Sequence, residues 1–328
     1  MTDDVVVTVV IPARNEEEDI VGCIEAIAAQ DFDRDQMEVI LADGASDDAT
    51  VDLATSAAMR LGLDLLVVDN PGRTAATGLN AGLATASGNI IVRVDARSRI
   101  SREHVALCVE LLEDETLGAV GGGQRPISRP SAGVVGRGIV RSQRNRYSTG
   151  FARYRVGGRA CSTDTVWMGA FPRRAVIEAG GWPTVPAQNQ DYRLNQSLRA
   201  RGLLVWFDPR LDAGYLPRPD LPSLARQFFR FGRAKGWMWA RGDRPSRRQK
   251  VILTLPIAGL GGAAFCVARF GWTRSIAGGL VLALGLDAAG SDRSASAQER
   301  VASVVAMGVA DTSWLAGVIS GFVDGRRL

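Results

Sequence analysis

Carboxylates placed just beyond apolar runs are the residues of this 328-residue chain best able to do chemistry. Val92-Arg93-Val94-Asp95-Ala96-Arg97 delivers Asp95 at the end of a run that reads as a strand and follows a helix-like segment. A carboxylate in that place meets a phosphate or the metal ion that accompanies one. Asp43 stands in the same way after Met37 to Ala42, at the head of the polar stretch Gly44-Ala45-Ser46-Asp47-Asp48. Asp191 precedes a helical pattern carrying Leu194 and Leu198, which puts it at the positive end of that helix. The helix terminus is expected to lower its pKa and keep it ionised, a state that can accept a proton. An aspartate in any of these places is also an ordinary helix cap. Agreement among several strand ends therefore counts for more than any single acid.

The elements that must position these groups are legible as an alternation. Val5 to Ile11 is a β-branched run ended by Pro12, and Arg14-Asn15-Glu16-Glu17-Glu18-Asp19-Ile20 reads as the acidic opening of an amphipathic helix. Met37 to Ala42 is a second strand and Val51 to Leu61 a helix. Leu65 to Val68 is a third strand, running into Asp69-Asn70-Pro71-Gly72-Arg73, and Thr74 to Thr85 is another helix candidate. Asn89 to Val94 is the strand that leads to Asp95. Four strand-then-helix alternations predict an α/β fold with an open, mostly parallel sheet, whose ligands sit beyond the carboxyl ends of the strands. Arg14, Asn15, Asp43, Ser46, Arg73 and Asp95 all fall at those ends and are expected to share one pocket. Thr165 to Phe171 reads as a further strand in which Gly169 permits close approach of backbone to ligand. Ala179-Gly180-Gly181-Trp182-Pro183 is a turn presenting an aromatic, which is either exposed to a ligand or packed on the core.

Several chemistries are excluded. Pro12-Ala13-Arg14-Asn15 stands where a dinucleotide fold would carry Gly-x-Gly-x-x-Gly, and no Gly-Lys-Ser/Thr phosphate loop occurs. With one histidine in the chain, His104, zinc chemistry and histidine-dependent triads have no basis, and His104 itself reads as structural. The four cysteines, Cys23, Cys108, Cys161 and Cys266, lack metal-ligand spacing and fit reduced thiols. The net charge is +4, and its basic residues cluster between positions 125 and 250 without a nucleic-acid-binding motif. Acidic lipid or a diphosphate-bearing substrate is the better partner. Residues 124 to 163, rich in Arg, Gly and Ser, read as a mobile loop over the site. The start, Met1-Thr2-Asp3-Asp4, does not look like a signal peptide.

The blocks VVIPARNEEEDI, VILADGASDDAT, NPGRTAATGLNAGLATASGNIIVRVDARS and NQDYRLNQSLRARG carry a resemblance. In order and spacing, over about residues 5 to 235, the chain resembles the inverting family 2 glycosyltransferases of the GT-A fold. Within that family it is most similar to the membrane-linked branch that includes bacterial succinoglycan-type glucosyltransferases. The resemblance implies that Pro12, Arg14 and Glu16 border the nucleotide, with Arg73 among the nucleotide-binding residues, and that Asp43 accepts a hydrogen bond from the base. It implies that Asp95 is the first acid of an Asp-x-Asp motif that holds Mg²⁺ or Mn²⁺ on a sugar diphosphate, here with Arg97 in place of the second acid. One protein carboxylate leaves most oxygen ligands to the diphosphate and water. Arg97 is expected either to pair with a phosphate oxygen or to point to solvent. The resemblance makes Asp191 the base of a direct displacement and puts Trp182 beside the acceptor. Gln227-Phe228-Phe229-Arg230-Phe231 resembles a Gln-x-x-Arg-Trp motif, which implies that Gln227 and Arg230 serve the acceptor or the diphosphate.

Composition turns apolar in the last quarter. The basic and aromatic stretch 223 to 250 looks like an interfacial helix on anionic lipid. Val251 to Ala268 is about long enough to span a bilayer, and Ser275 to Leu286 and Val301 to Val323 are further apolar stretches with Asp287 and Asp311 nearby. A buried helical hairpin is the soluble alternative. Flanking Arg247, Arg248, Lys250 and Arg269 place the catalytic part on the cytoplasmic side of an inner membrane. The expected organisation is a catalytic domain over 1–222, an interfacial segment over 223–250 and a hydrophobic helical tail over 251–328. The expected function is transfer of a hexose from a nucleotide diphosphate sugar, UDP-linked in the first instance, to a lipid-linked or polysaccharide acceptor in cell-envelope biosynthesis. A nucleotidyltransferase and a membrane-anchored nucleotide-sugar-binding protein without catalysis are the alternatives.

Overall fold

β-Branched runs buried on both faces build the centre of the protein, as the alternation predicts. The computed structural model describes residues 5–145, 152–186, 188–243 and 294–327, together with positions 269, 279, 282, 284, 285, 287 and 288. In chain order the strands and helices begin β1 (Val7–Ala13), α1 (Ile20–Ala28), β2 (Met37–Asp43), α2 (Thr50–Leu61), β3 (Leu65–Asp69), α3 (Ala75–Thr85) and β4 (Ile90–Arg93). They continue with β5 (Ser98–Arg99), α4 (His104–Leu112), β6 (Leu117–Gly122), β7 (Gln124–Pro126), α5 (Val134–Arg144), α6 (Arg153–Val156), β8 (Cys161–Ser162) and β9 (Trp167–Pro172). The remainder are α7 (Arg173–Glu178), α8 (Gln190–Ala200), β10 (Leu204–Phe207), β11 (Ala213–Tyr215), α9 (Leu221–Ala240) and a last helix, α10 (Ala297–Arg327). The chain divides into two units, Met1–Arg125 with Gly157–Tyr215, and Pro126–Val156 with Leu216–Leu328.

In the first unit an eight-stranded sheet runs β3-β2-β1-β4-β9-β6-β10-β8. β1 pairs in parallel with β2 and β4, and β2 with β3, while β9 is antiparallel to both β4 and β6. The register aligns Ala13 with Asp43 and Asp43 with Asp69, so the ends of three strands lie side by side. Val94 N–H donates to the Val10 carbonyl at 3.1 Å, which brings Asp95 level with them. Val9, Ile11, Ile24, Leu41 and Val92 pack on one side of the sheet, and Val10, Ile40, Leu79, Ile91 and Phe171 on the other. The expected start of α1 needs correction: Arg14 to Asp19 is loop and turn, and the helix begins at Ile20. The Glu16 N–H donates to Thr50 Oγ1 at 2.8 Å, a tertiary bond that ties this segment to the first residue of α2.

The second unit departs from the expected linear boundaries. The stretch read as a mobile loop contains α5, which belongs with the C-terminal helices rather than with the sheet. Ile139 of α5 clusters with Leu224 of α9 and with Ala306 and Ala310 of α10. The segment read as interfacial is, over Leu221–Ala240, a helix packed along α10. A Cβ on Gly232 or Gly236 would collide with the Trp314 or Val318 carbonyl, and one on Gly317 or Gly321 with that of Phe229 or Arg233. These contacts advance together along both helices, so the two run parallel with backbones touching, as small-residue faces allow. The Ala297–Arg326 stretch contains an 18-residue window of mean hydropathy 1.5 and is long and apolar enough to cross a membrane by length and composition. The expected span Val251 to Ala268, the basic residues 244 to 250 and most of Ser275 to Leu286 lie outside the described residues.

Candidate functional site

The strand-end loops of the first unit are stitched to one another by side chains. Asp43 at the end of β2 accepts hydrogen bonds from the Ser46 N–H at 3.0 Å and from Ser46 Oγ at 2.6 Å. Asn15 beyond β1 donates through its backbone N–H to Ser46 Oγ at 3.0 Å and through Nδ2 to Asp47 at 2.6 Å. Pro12 is half-buried near the end of β1, Arg14 is exposed just after it, and the exposed Arg73 precedes α3. Five non-glycine residues among those described have positive φ: Asn15, Ala45, Arg73, Met168 and Asn189. Asn15, Ala45 and Arg73 follow β1, β2 and β3, Met168 touches Asp95, and Asn189 precedes Asp191. Each costs roughly 1–3 kcal/mol, and strain of this kind gathers at sites where the backbone is shaped for a ligand.

Asp95 and Asp191 come together on a residue that sequence reasoning passed over. Arg93, the last residue of β4, donates through Nε to Asp95 Oδ1 at 2.7 Å and through a terminal nitrogen to Asp191 Oδ1 at 2.5 Å. Its side chain is 7% exposed, against 25% for Asp95 and 19% for Asp191. Burial disfavours its charge, but the two carboxylates more than offset this and push its pKa up. The signal was present in the sequence: a charged residue inside an apolar strand is seldom buried unless it is paired.

α8 starts at Gln190, with Asp191 in its first turn, as expected. The expected effect on Asp191 is reversed, however. Burial pushes its carboxyl above the usual 3.8; Arg93 opposes this and Asp95 adds to it. Desolvation here outweighs the helix terminus. A carboxylate with a raised pKa is the stronger proton acceptor.

Trp182 also needs correction as an acceptor-facing aromatic. It is 1% exposed and packs edge-on against Phe171, with ring centroids 5.6 Å apart. The Asn80 side chain on α3 clamps its backbone, accepting from the Trp182 N–H and donating to its carbonyl, both at 2.8 Å. The indole favours the ionised form of Asp191, although its Nε1 makes no hydrogen bond of full geometry. It is thus a wall of the base rather than an open platform. Gly169 likewise gives its space to the Phe171 ring.

Arg97 does not point to solvent. Its side chain is 15% exposed, and its Nε lies 3.4 Å from Glu16, beyond β1. The guanidinium stands 5.5 Å from the centroid of the Tyr215 ring on β11. Burial lowers its pKa, but Tyr215, Glu16 and Asp95 together raise it above the ordinary value. Each acid expected near the nucleotide's phosphates is thus already matched to an arginine. No group of three His, Cys, Asp or Glu side chains able to hold a metal ion occurs among the described residues. Asp95, its Oδ1 held by Arg93 and a quarter of its side chain exposed, is the single carboxylate at that position, so a divalent cation there would take most of its oxygen ligands from the diphosphate and water. Gln227, half-buried, and Arg230, exposed, lie on α9 of the second unit. His104 is structural, as expected: it is 1% exposed, and burial pushes its pKa down to about 4.

A mostly parallel sheet with acids and arginines at its strand ends is shared by many enzymes, and the family comes from comparison with known proteins. The chain matches Glycosyl transferase family 2 over residues 8–180, more than half its length, and belongs to that family. It is similar to a dolichyl N-acetyl-α-D-glucosaminyl phosphate glucuronosyltransferase of Methanococcus voltae, 23% identical over 72% of this chain and 74% of the relative. It is also similar to the succinoglycan biosynthesis protein ExoA of Rhizobium meliloti, 26% identical over 76% of each. Among solved structures, the mannosyltransferase PcManGT of Pyrobaculum calidifontis, in complex with GDP-Man and Mn²⁺, aligns with a TM-score of 0.64. Its identity is 22%, covering 97% of this chain and 87% of that one. TarS 1-349 of S. aureus in complex with UDP-GlcNAc gives a TM-score of 0.52 at 13% identity, covering 94% and 91%. The fold is GT-A, and the protein is a glycosyltransferase that takes a nucleotide sugar as donor.

Proposed function

We propose that the protein is an inverting hexosyltransferase that acts by a single displacement. The observation that carries this reading is the meeting of Asp95 and Asp191 on the Arg93 guanidinium at the carboxyl ends of the sheet. Asp191 takes the proton of an acceptor hydroxyl as that oxygen bonds to the anomeric carbon. The bond from that carbon to the diphosphate oxygen breaks, the nucleoside diphosphate leaves, and attack from the opposite face inverts the centre. Asp43, Pro12, Arg14, Glu16 and Arg73 border the nucleotide. A divalent cation at Asp95 has its support in the Mn²⁺ bound by the mannosyltransferase neighbour. Asp95 would hold such an ion, which would neutralise charge on the leaving diphosphate, and no step here passes through it.

The acceptor is a hydroxyl of a lipid-linked or polysaccharide molecule. The dolichyl phosphate substrate named for the archaeal relative and the succinoglycan role of the rhizobial one support that class. The apolar length of α10 supports association with a membrane, the inner one, with the catalytic unit on the cytoplasmic face. The test is incubation of the full chain in detergent with a panel of radiolabelled UDP- and GDP-sugars and lipid-extract acceptors. Transfer with inverted anomeric configuration is expected. Retention of configuration overturns the displacement. Binding without turnover identifies a sugar-nucleotide-binding protein that has lost catalysis, a reading that Arg97 in place of an acid favours. Pyrophosphate release from a sugar phosphate and a nucleoside triphosphate identifies a nucleotidyltransferase.

A further inference from the structure

Asp95 and Asp191 reach the site on separate elements, and a single side chain spans the gap between them. Asp95 follows β4 in the sheet, whereas Asp191 sits in the first turn of α8, a helix packed on the sheet through Leu194 and Leu198. Arg93 joins the two: its Nε donates to Asp95 Oδ1 at 2.7 Å, and a terminal nitrogen donates to Asp191 Oδ1 at 2.5 Å. The origin of this bridge is rigid. β4 lies between β1 and β9, Arg93 stands opposite Val10 in the parallel ladder, and the next residue, Val94, donates from its N–H to the Val10 carbonyl at 3.1 Å. With 7% of its side chain exposed, the guanidinium is held by packing as well as by its partners.

Charge and shape both suit a mount for the base. Two carboxylates against one guanidinium leave the group net negative, so Arg93 holds Asp191 without cancelling its capacity to take a proton. Both acids keep an exposed edge, 25% of the side chain for Asp95 and 19% for Asp191. A planar guanidinium fixes its partners in direction as well as distance, which an ammonium does not. An in-line displacement depends on such placement: acceptor oxygen, anomeric carbon and departing oxygen must line up, and a base displaced by about 1 Å costs about 10²-fold in rate. We infer that Arg93 is a positioning residue of this glycosyltransferase, setting the separation of the base Asp191 from the donor-side acid Asp95 and so aiming the base at the acceptor hydroxyl. The inference rests on the transferase reading above and deepens it.

The test is a double-variant cycle on transfer by the full chain in detergent, with the radiolabelled UDP- and GDP-sugars and lipid-extract acceptors. Arg93→Met is expected to lower kcat by about 10²-fold, and Arg93→Lys, which keeps a cation but not the two fixed nitrogens, by about tenfold. In the Asp191→Asn background either replacement is expected to change kcat by less than about threefold, because no base remains to be aimed. Equal factors in the two backgrounds show that Arg93 acts elsewhere and overturn the inference, as does an Arg93→Met protein whose kcat stays within about threefold of the unmodified chain. Circular dichroism spectra and unfolding midpoints accompany each variant, and if Arg93→Met does not fold, the Arg93→Lys arm of the cycle decides by the same criterion. Absence of transfer by the unmodified chain with every sugar overturns the transferase reading, and the inference with it.

Discussion

Two buried arginine–aspartate clusters, one in each unit, share a chemistry and differ in what they leave accessible. In the second unit Arg141 of α5 reaches Asp287 through Nε at 2.9 and 3.0 Å and through a terminal nitrogen at 2.7 Å. Ser303 of α10 donates to the same carboxylate at 2.7 Å, and Asp287 is fully buried. That cluster is closed: its acid has three donors and no access to solvent. In the first unit Arg93 spends one nitrogen on each of two acids, and both keep an exposed edge. An arginine that saturates one carboxylate makes a structural latch. One divided between two carboxylates leaves each able to do further work, and burial then pushes up the pKa of the acid that must take a proton.

Exchanging the acids breaks the comparison most sharply. Asp191→Asn is expected to lower turnover by about 10²- to 10⁴-fold with the unfolding midpoint and nucleotide affinity kept, in transfer assays run beside calorimetry. Near-normal turnover would remove Asp191 as the base. Asp287→Asn should do the opposite, costing about 3–5 kcal/mol of stability because it strands a buried guanidinium. Denaturant unfolding in detergent reads that loss, and the double replacement Arg141→Met with Asp287→Leu should recover most of it. If the double variant is as unstable as the single one, the latch description fails.

A smaller effect tests the divided arginine through pH. Transfer needs Asp191 ionised, and its carboxyl titrates above 3.8, so kcat/KM should fall on acidification at a higher pH than an ordinary aspartate would impose. Arg93 opposes that rise, so Arg93→Lys, with its weaker grip, should move the acid limb further up; an unmoved limb would show that Arg93 does not govern the base. His104 serves as the uncharged control. Its ring is buried with neither nitrogen hydrogen-bonded, and its pKa falls from 6.5 to about 4. Folding stability is therefore fully present above pH 6.5 and declines as pH falls from there towards 4, by about 3 kcal/mol in all. His104→Leu should flatten that part of the stability profile, measured by chemical unfolding across pH.

Much of the first unit was legible from residues alone. The runs Val7–Ala13 and Met37–Asp43 are β-branched and apolar because both faces of a central parallel strand are covered, and Thr74 with Thr77 caps α3 as a local pattern can show. Asp43 and Asp95 stand at strand ends in the structure as they do in the pattern. α1 was misjudged at its start, since the bond from Glu16 to Thr50 spans 34 positions and no local signal records it. α5 was read as a loop because its glycines and arginines answer to α10, far along the chain. Trp182 looked like a platform because its neighbours Gly181 and Pro183 mark a turn; its partner Asn80 lies 102 positions away.

The order of apolar runs and polar ends determined, without coordinates, that this chain would lay parallel strands side by side and collect acids at their carboxyl ends. Those are consequences of periodicity and of amide hydrogen bonding, which act over a few residues. Tertiary structure alone decided that Arg93 would bind two acids at once, that Asp191 would be harder to ionise rather than easier, and that Arg97 would turn inward. Desolvation and pairing depend on what surrounds a charge, and here the surroundings come from residues as far apart in the chain as Arg93 and Asp191, or Arg97 and Tyr215.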